Sequence, residues 1–164
     1  MASTYTPIAT YTATGSISSY TFSSIPNTYT DLRVICSPFN SAGPDDLRIR
    51  FNGDTGTNYS SSLFRGSGSA TLTASDNNAT YIGWLGYVNS AASDASVTII
   101  DINNYSNTSV NKSILSRGSL ASGFVNVTAG MWRSTSAINS ITLIAGAANI
   151  TANSTFTLYG IMAA

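Results

Sequence analysis

The stretch "DLRIRFNGDTGTNYS", residues 46–60, decides how the rest of the chain is read. Leu47, Ile49 and Phe51 alternate with Arg48 and Arg50. Successive side chains of an extended strand point to opposite faces, so the apolar trio meets a core and the arginines meet water or a neighbour. The run then breaks into Asn52, Gly53 and Asp54, with Gly56 and Asn58 close behind. These residue types tolerate the positive φ of a tight turn. A calcium site would want about six to eight oxygens, several of them carboxylates. This loop brings only Asp54, with Asp45 and Asp46 across the strand. A hairpin turn without metal is the expectation.

The same period of two recurs outward from this stretch. Helix formers are scarce, β-branched and aromatic residues are common, and short runs are punctuated by Gly, Pro, Asn and Ser clusters. The expected strands are Thr4–Thr14, Tyr20–Ser24, Asp31–Ser37, Leu47–Asn52, Tyr59–Arg65, Ala70–Ala74, Ala79–Val88, Ala95–Ile102, Lys112–Ser116, Gly130–Ser134, Ser140–Ala145 and Ser154–Ile161. Within Ala79–Val88, the segment "YIGWLGYV" is apolar on both parities and predicts a central buried strand. No linker, composition shift or repeat divides the chain. The pattern predicts an all-β protein, one antiparallel β-sandwich domain of jelly-roll-like form over residues 1–164.

Composition excludes several function classes. Seven basic and seven acidic residues cancel, and charged residues make up 9% of the chain, against about 25% in an ordinary globular protein. Binding a phosphate backbone needs clustered Lys and Arg, so no nucleic-acid partner is expected. There is no histidine, hence no ordinary Ser-His-Asp or Cys-His arrangement. Asp45 and Asp46 are adjacent on an extended segment and point apart, unlike the facing carboxylates of a glycosidase. The run "GSGS", residues 66–69, lacks the lysine and the strand–helix setting of a phosphate loop. No enzyme, no cofactor and no metal are expected.

Cys36 is the single cysteine, set in the apolar "LRVICSPF", and reads as a buried, inert thiol. The N-terminal "MASTYTPIATYTATG" has neither a charged n-region nor an apolar h-region. No apolar run approaches the roughly 20 residues that span a bilayer. Synthesis in a cytoplasm and no membrane partner follow as expectations. The many Asn-x-Ser/Thr triplets reflect the abundance of those residues rather than glycosylation.

A neutral, weakly charged surface suits a protein held permanently against others. Arg48, Arg50 and Arg65 are half of the six arginines and fall close together. The planar guanidinium fork favours contacts between subunits, the alternative being a solvated face paired with Asp45, Asp46 or Asp54. Phe156, Leu158 and Tyr159 belong to a last strand that runs into an apolar "YGIMAA" tail, pinned in a sheet or an interface. These six residues form the candidate interface. Trp84 and Trp132 read first as core, and alternatively as platforms on which a sugar ring stacks.

Residues 19–60, "SYTFSSIPNTYTDLRVICSPFNSAGPDDLRIRFNGDTGTNYS", carry a wording of their own. An "F-x-x-I-P-x-T-Y-T-D-L" entry is followed by "L-R-I-R-F-N-G-D" and "N-Y-S", and a "FTLYGI" ending lies at Phe156–Ile161. This resembles virion structural proteins of tailed bacteriophages, especially phages of marine bacteria and cyanobacteria. The resemblance implies a β-sandwich displayed on a phage particle and supplies no catalytic residues. The expected function is a structural protein of the virion, a head decoration or cement protein that reinforces the capsid, with the major capsid protein as partner. The alternative is a tail-fibre or baseplate module that binds a receptor or a host-surface glycan. A homotrimer is expected, because heads and fibres both offer threefold sites.

Overall fold

The computed structural model describes residues 4–90 and 95–162. Among them there is no helix. Twelve strands follow in order: β1 (Tyr5–Thr12), β2 (Ser19–Phe22), β3 (Asp31–Ser37), β4 (Asp45–Phe51), β5 (Tyr59–Gly66), β6 (Thr71–Ala79), β7 (Tyr87–Val88), β8 (Ser96–Asn103), β9 (Lys112–Leu120), β10 (Phe124–Trp132), β11 (Ile141–Ala145) and β12 (Thr155–Ile161). A large sheet of eight strands runs β1-β12-β3-β8-β9-β10-β5-β6, and a small sheet of four runs β2-β11-β4-β7. Every pairing of named strands is antiparallel. The fold is the all-β sandwich that the alternation predicted, with the chain passing repeatedly from one sheet to the other.

The period of two in β4 holds. Leu47, Ile49 and Phe51 are fully buried, while Arg48 and Arg50 are half-buried on the opposite face. They meet Leu32, Val34, Phe156 and Leu158 of the large sheet and Ile141 and Leu143 of β11 in one apolar cluster. Each side chain of this size contributes about 1.5–3 kcal/mol when fully withdrawn from water. This half of the sandwich is ordinary hydrophobic packing.

The loop after β4 turns as expected but does not close a hairpin. Asn52 and Gly53 take φ of +53° and +66°. The strands they join, β4 and β5, lie in different sheets. The turn is a crossover, because Phe51 ends the small sheet and Tyr59 must start the large one. Tyr59 sits at its base, fully buried, accepting from Phe51 N at 3.1 Å and donating to the Asp54 carbonyl at 3.1 Å.

The segment Tyr81–Val88 is not the central strand that its apolar faces predicted. Only Tyr87 and Val88 pair regularly, with Asp46 and Asp45. The rest forms a ragged outer strand of the small sheet: Ile82 and Ile49 exchange backbone bonds of 3.0 Å, Leu85 N donates to Leu47 O at 3.1 Å, and Leu47 N donates to Gly86 O at 2.9 Å. The strand breaks where Trp84 takes φ of +55°. This break aims carbonyls downward at the large sheet. Ser116 Oγ donates to Leu85 O at 2.8 Å, Thr128 Oγ1 and Asn126 Nδ2 donate to Trp84 O at 2.6 and 2.9 Å, and Ser96 Oγ donates to Tyr87 O at 2.5 Å. Gly86 is required there, since a Cβ would stand 1.8 Å from Thr98 Oγ1.

Three strands run further than expected. The structure has Thr71–Ala79 where Ala70–Ala74 was predicted, Lys112–Leu120 for Lys112–Ser116, and Phe124–Trp132 for Gly130–Ser134. Ser, Thr and Asn occupy both parities in the first two stretches, which hides the alternation that marks a strand. In Phe124–Trp132 the alternation is regular and begins six residues before the expected start.

Candidate functional site

The candidate arginines are engaged within the chain. The Arg48 guanidinium lies 4.5 Å over the Tyr81 ring and that of Arg50 lies 6.0 Å from it. Arg50 Nε donates to Thr80 O at 2.9 Å. Arg65 pairs with Asp46 at 3.1 Å and covers the Tyr87 ring at 4.5 Å. Burial raises the Asp46 pKa, and Arg65 opposes that rise. All three arginines therefore clamp residues 80–88 onto β4 and β5. Phe156 and Leu158 are corrected as interface residues: both are fully buried, in a strand paired on both sides by β1 and β3. Tyr159 alone of the C-terminal trio reaches the outer face, half-buried with its ring edge-on to Tyr5.

The remaining singled-out residues are structural as well. Trp132 is buried, and its Nε1 donates to Asp54 Oδ2 at 2.7 Å. Asn58 Nδ2 donates to the same oxygen at 2.9 Å, and Gly56 N donates to Oδ1 at 2.7 Å. These bonds, led by that of Trp132, hold the Asp54 carboxyl below its usual range. The carboxylate organises its own loop and docks it on β10. Trp84 is half-buried at the break in its strand. Cys36 is buried, and desolvation drives its thiol pKa far up.

Two cations escaped the sequence reading. Lys112 is fully buried, and its Nζ donates to the carbonyls of Asn107, Val110 and Thr135 at 2.6, 2.8 and 3.1 Å. It ties together the turn before β9 and the segment after β10. Burial lowers its pKa. Arg133 spreads its fork over Thr57 O at 2.7 Å, Asn78 Oδ1 at 3.0 Å, Asn77 Oδ1 at 3.1 Å and the Ser60 hydroxyl. No local pattern announces either role: Lys112 bonds backbone carbonyls, which any residue supplies, and the partners of Arg133 are more than fifty residues away.

What the fold does assemble is an apolar outer face. In β10 the polar parity, Asn126 and Thr128, points inward to the carbonyls of Trp84, while Val125, Val127 and Met131 point to solvent. The register places Val127 beside Phe64 of β5, and Val125 beside Gly66. On the other side Ala129 stands by Leu115 of β9 and Val125 by Ser119, which neighbours Val97 of β8. Val125 is 59% exposed, Phe64 56% and Val97 50%. Four adjacent strands thus carry six exposed large apolar side chains on one face. A soluble monomer seldom leaves a contiguous apolar patch of this kind uncovered. Arg33, Asp101 and Arg117 border the patch in one ion-paired strip. A shallow depression of about 210 Å³ lies between them, lined by Val97, Ile99, Arg117, Gly118 and Ser119.

The signal was present in "FVNVTAGMW", residues 124–132, whose alternation is clean. The direction of that alternation, polar parity inward, is unexpected, as is the reach of the strand back to Phe124. No family model matches the chain, and no curated protein matches it. Among solved structures, an exo-inulinase from Aspergillus awamori is similar at 12% identity and a TM-score of 0.34, over 96% of this chain and 29% of that one. The chain thus spans less than a third of that structure's length.

Proposed function

We propose that this chain is a structural protein of a tailed-phage virion, acting as a head decoration protein with the major capsid protein as its partner. The outward apolar parity of β10 and its neighbours carries the reading. A sheet face of Val125, Val127, Phe64, Val97, Leu115 and Met131 is suited to adhesion. Withdrawing such a face from water contributes about 25 cal/mol per Å². The ion-paired strip of Arg33, Asp101 and Arg117 at its border would orient the contact. The resemblance of residues 19–60 to virion proteins supplies the setting. In this reading the domain is made in the host cytoplasm, seats on the assembled shell and cross-links neighbouring capsomers against internal pressure.

The glycan-binding alternative has weaker support. Trp132 is closed off in the core by Asp54, leaving Trp84 without a second platform.

The deciding experiment mixes purified protein with purified phage heads and tails and measures co-sedimentation. Wild type is expected on heads, and a Val125→Asp, Val127→Asp double variant is expected to bind at least about tenfold more weakly with an unchanged melting temperature. Equal binding by the variant would remove the apolar face from the function. Binding to neither heads nor tails would remove the virion role.

A further inference from the structure

We propose that β6 pairs antiparallel with β6 of a second copy, joining two large sheets edge to edge about a twofold axis perpendicular to the sheet. This rests on the edge strand and does not depend on the virion reading. The two sheets expose four edges: β1 and β6 in the large sheet, β2 and β7 in the small one. A sheet edge offers a row of backbone donors and acceptors that templates another strand unless it is guarded. The small sheet's edges are short, four residues in β2 and two in β7. The β1 edge carries Pro7 and a register shift between Pro7 and Ala9. Proline and bulges are how natural sheets guard an edge.

The β6 edge has no proline, and its one irregularity lies at its far end, where Asn78 is an extra residue opposite Tyr59 and Ser60 and takes φ of +58°. It is nine residues long, Thr71–Ala79, without any cation, and Asp76 is its one charge. Among the described residues it pairs only with β5. Its small-sheet side is also uncovered, because the four-stranded sheet ends before reaching it, so β6 is exposed on both faces over most of its length. Leu72 is 49% exposed there, beside a recess of about 260 Å³ that it lines with Arg65 and Phe124. At about 3.4 Å per residue, the seven regularly paired residues Thr71–Asn77 give an edge of roughly 24 Å.

The strand suits its own copy. An antiparallel register centred on Ser75 sets Ser75 opposite Ser75 and Thr73 opposite Asn77. Asp76 of each copy then faces Ala74 of the other, so the charges are not directly opposed. Hydroxyl and amide side chains across an antiparallel pair add stabilising contacts. Identical edges joined by a twofold saturate one another and stop, whereas a heterologous edge contact would propagate. A perpendicular axis also leaves both outer faces on the same side. The patches around Phe64 and Val127 then become parts of one continuous face on a sixteen-stranded sheet, twice the eight of one chain. The β4 arginines, and Phe156 and Leu158 of the last strand, are occupied within the chain; the open run Thr71–Asn77 calls for twofold symmetry instead.

The full chain is examined by sedimentation equilibrium and native mass spectrometry from about 1 to 100 μM, where a concentration-dependent dimer is expected. Ala74→Pro and Ser75→Pro are compared with it. Neighbouring amides of a strand point to opposite edges, so one of these prolines removes only an outward donor. That variant is expected to keep the wild-type circular dichroism and to be monomeric at every concentration. Ser75→Cys with a short bis-maleimide is expected to give cross-linked dimer, and Thr10→Cys at the β1 edge is not. In the wild type, alternate β6 amides should exchange at least tenfold more slowly with deuterium as concentration rises. A wild-type monomer or trimer at 100 μM overturns the proposal. So does a dimer that survives in the folded proline variant, or one lacking both Ser75→Cys cross-linking and β6 protection.

Discussion

Under β3 and β12 the large sheet meets the small one through Leu32, Val34, Phe156 and Leu158 packed on Leu47, Ile49, Ile141 and Leu143. Under β9 and β10 it meets residues 81–88 through Ser116, Asn126 and Thr128, whose side chains donate to the carbonyls of Leu85 and Trp84. The first contact is non-directional and needs only volume and apolarity. The second is directional, and a buried carbonyl left without its donor costs about 1–3 kcal/mol. The difference has a consequence for the surface. Because the polar parity of β10 is spent inward, its apolar parity is left outside, and the apolar outer face exists. The odd strand and the candidate function are two sides of one arrangement.

The sharpest break of this contrast is at Gly86. Gly86→Ala places a methyl against Thr98, and its backbone already approaches Gly118 closely. A loss of about 4 kcal/mol or failure to fold is expected in urea denaturation, with partial recovery on adding Thr98→Ala. In the apolar half, Leu158→Ala should cost about 2–5 kcal/mol in the same assay, with no comparable rescue by a neighbour. Ser116→Ala should cost about 1–2 kcal/mol, since it orphans the Leu85 carbonyl. An equal cost for Ser116→Ala and Leu158→Ala would erase the distinction in size between directional and non-directional packing.

A smaller effect concerns the crossover loop that joins the sheets. The Asp54 pKa is held below its usual range by Trp132, Asn58 and Gly56, so its contribution is complete above the unfolded pKa of about 3.9 and is lost as pH falls through the lowered folded value. Asp46, raised by burial, acts in the opposite sense, its protonation being favoured by folding. Asp54→Asn should therefore flatten the acid limb of stability below about pH 4, read from melts across pH 2–6. An unchanged limb would show that the carboxylate does not anchor the loop. The smallest effect is expected at Thr98, whose Oγ1 is buried with no hydrogen-bond partner among the described residues. Thr98→Val should leave stability within about 0.5 kcal/mol or raise it slightly. A loss above about 1.5 kcal/mol would mean that this hydroxyl is bound after all.

The alternation at Leu47–Phe51 and Phe156–Leu158 was readable because each strand there has one strongly apolar parity facing a core. The turn at Asn52-Gly53 was readable because its residues specify positive φ, yet not the sheets it connects, since turn chemistry says nothing of where the next strand pairs. Arg48, Arg50 and Arg65 were visible as a cluster, but their partners Tyr81, Thr80 and Tyr87 are distant in sequence or irregular in backbone.

By itself the sequence determined the class: an all-β chain, sparse in charge and without histidine, with a tight turn at Asn52-Gly53. Period, composition and turn propensity are local properties, and they suffice for that. Which parity of β10 faces inward was decided only by tertiary structure. "VNVTAGM" is equally regular either way, and the choice falls to the Trp84 carbonyl, as those of Leu85 and Tyr87 take Ser116 of β9 and Ser96 of β8. These carbonyls stand over the sheet because Trp84 breaks its strand and Gly86 lets the backbone approach. Burying those carbonyls against valine would have left them without donors, at greater cost than leaving the valines in water.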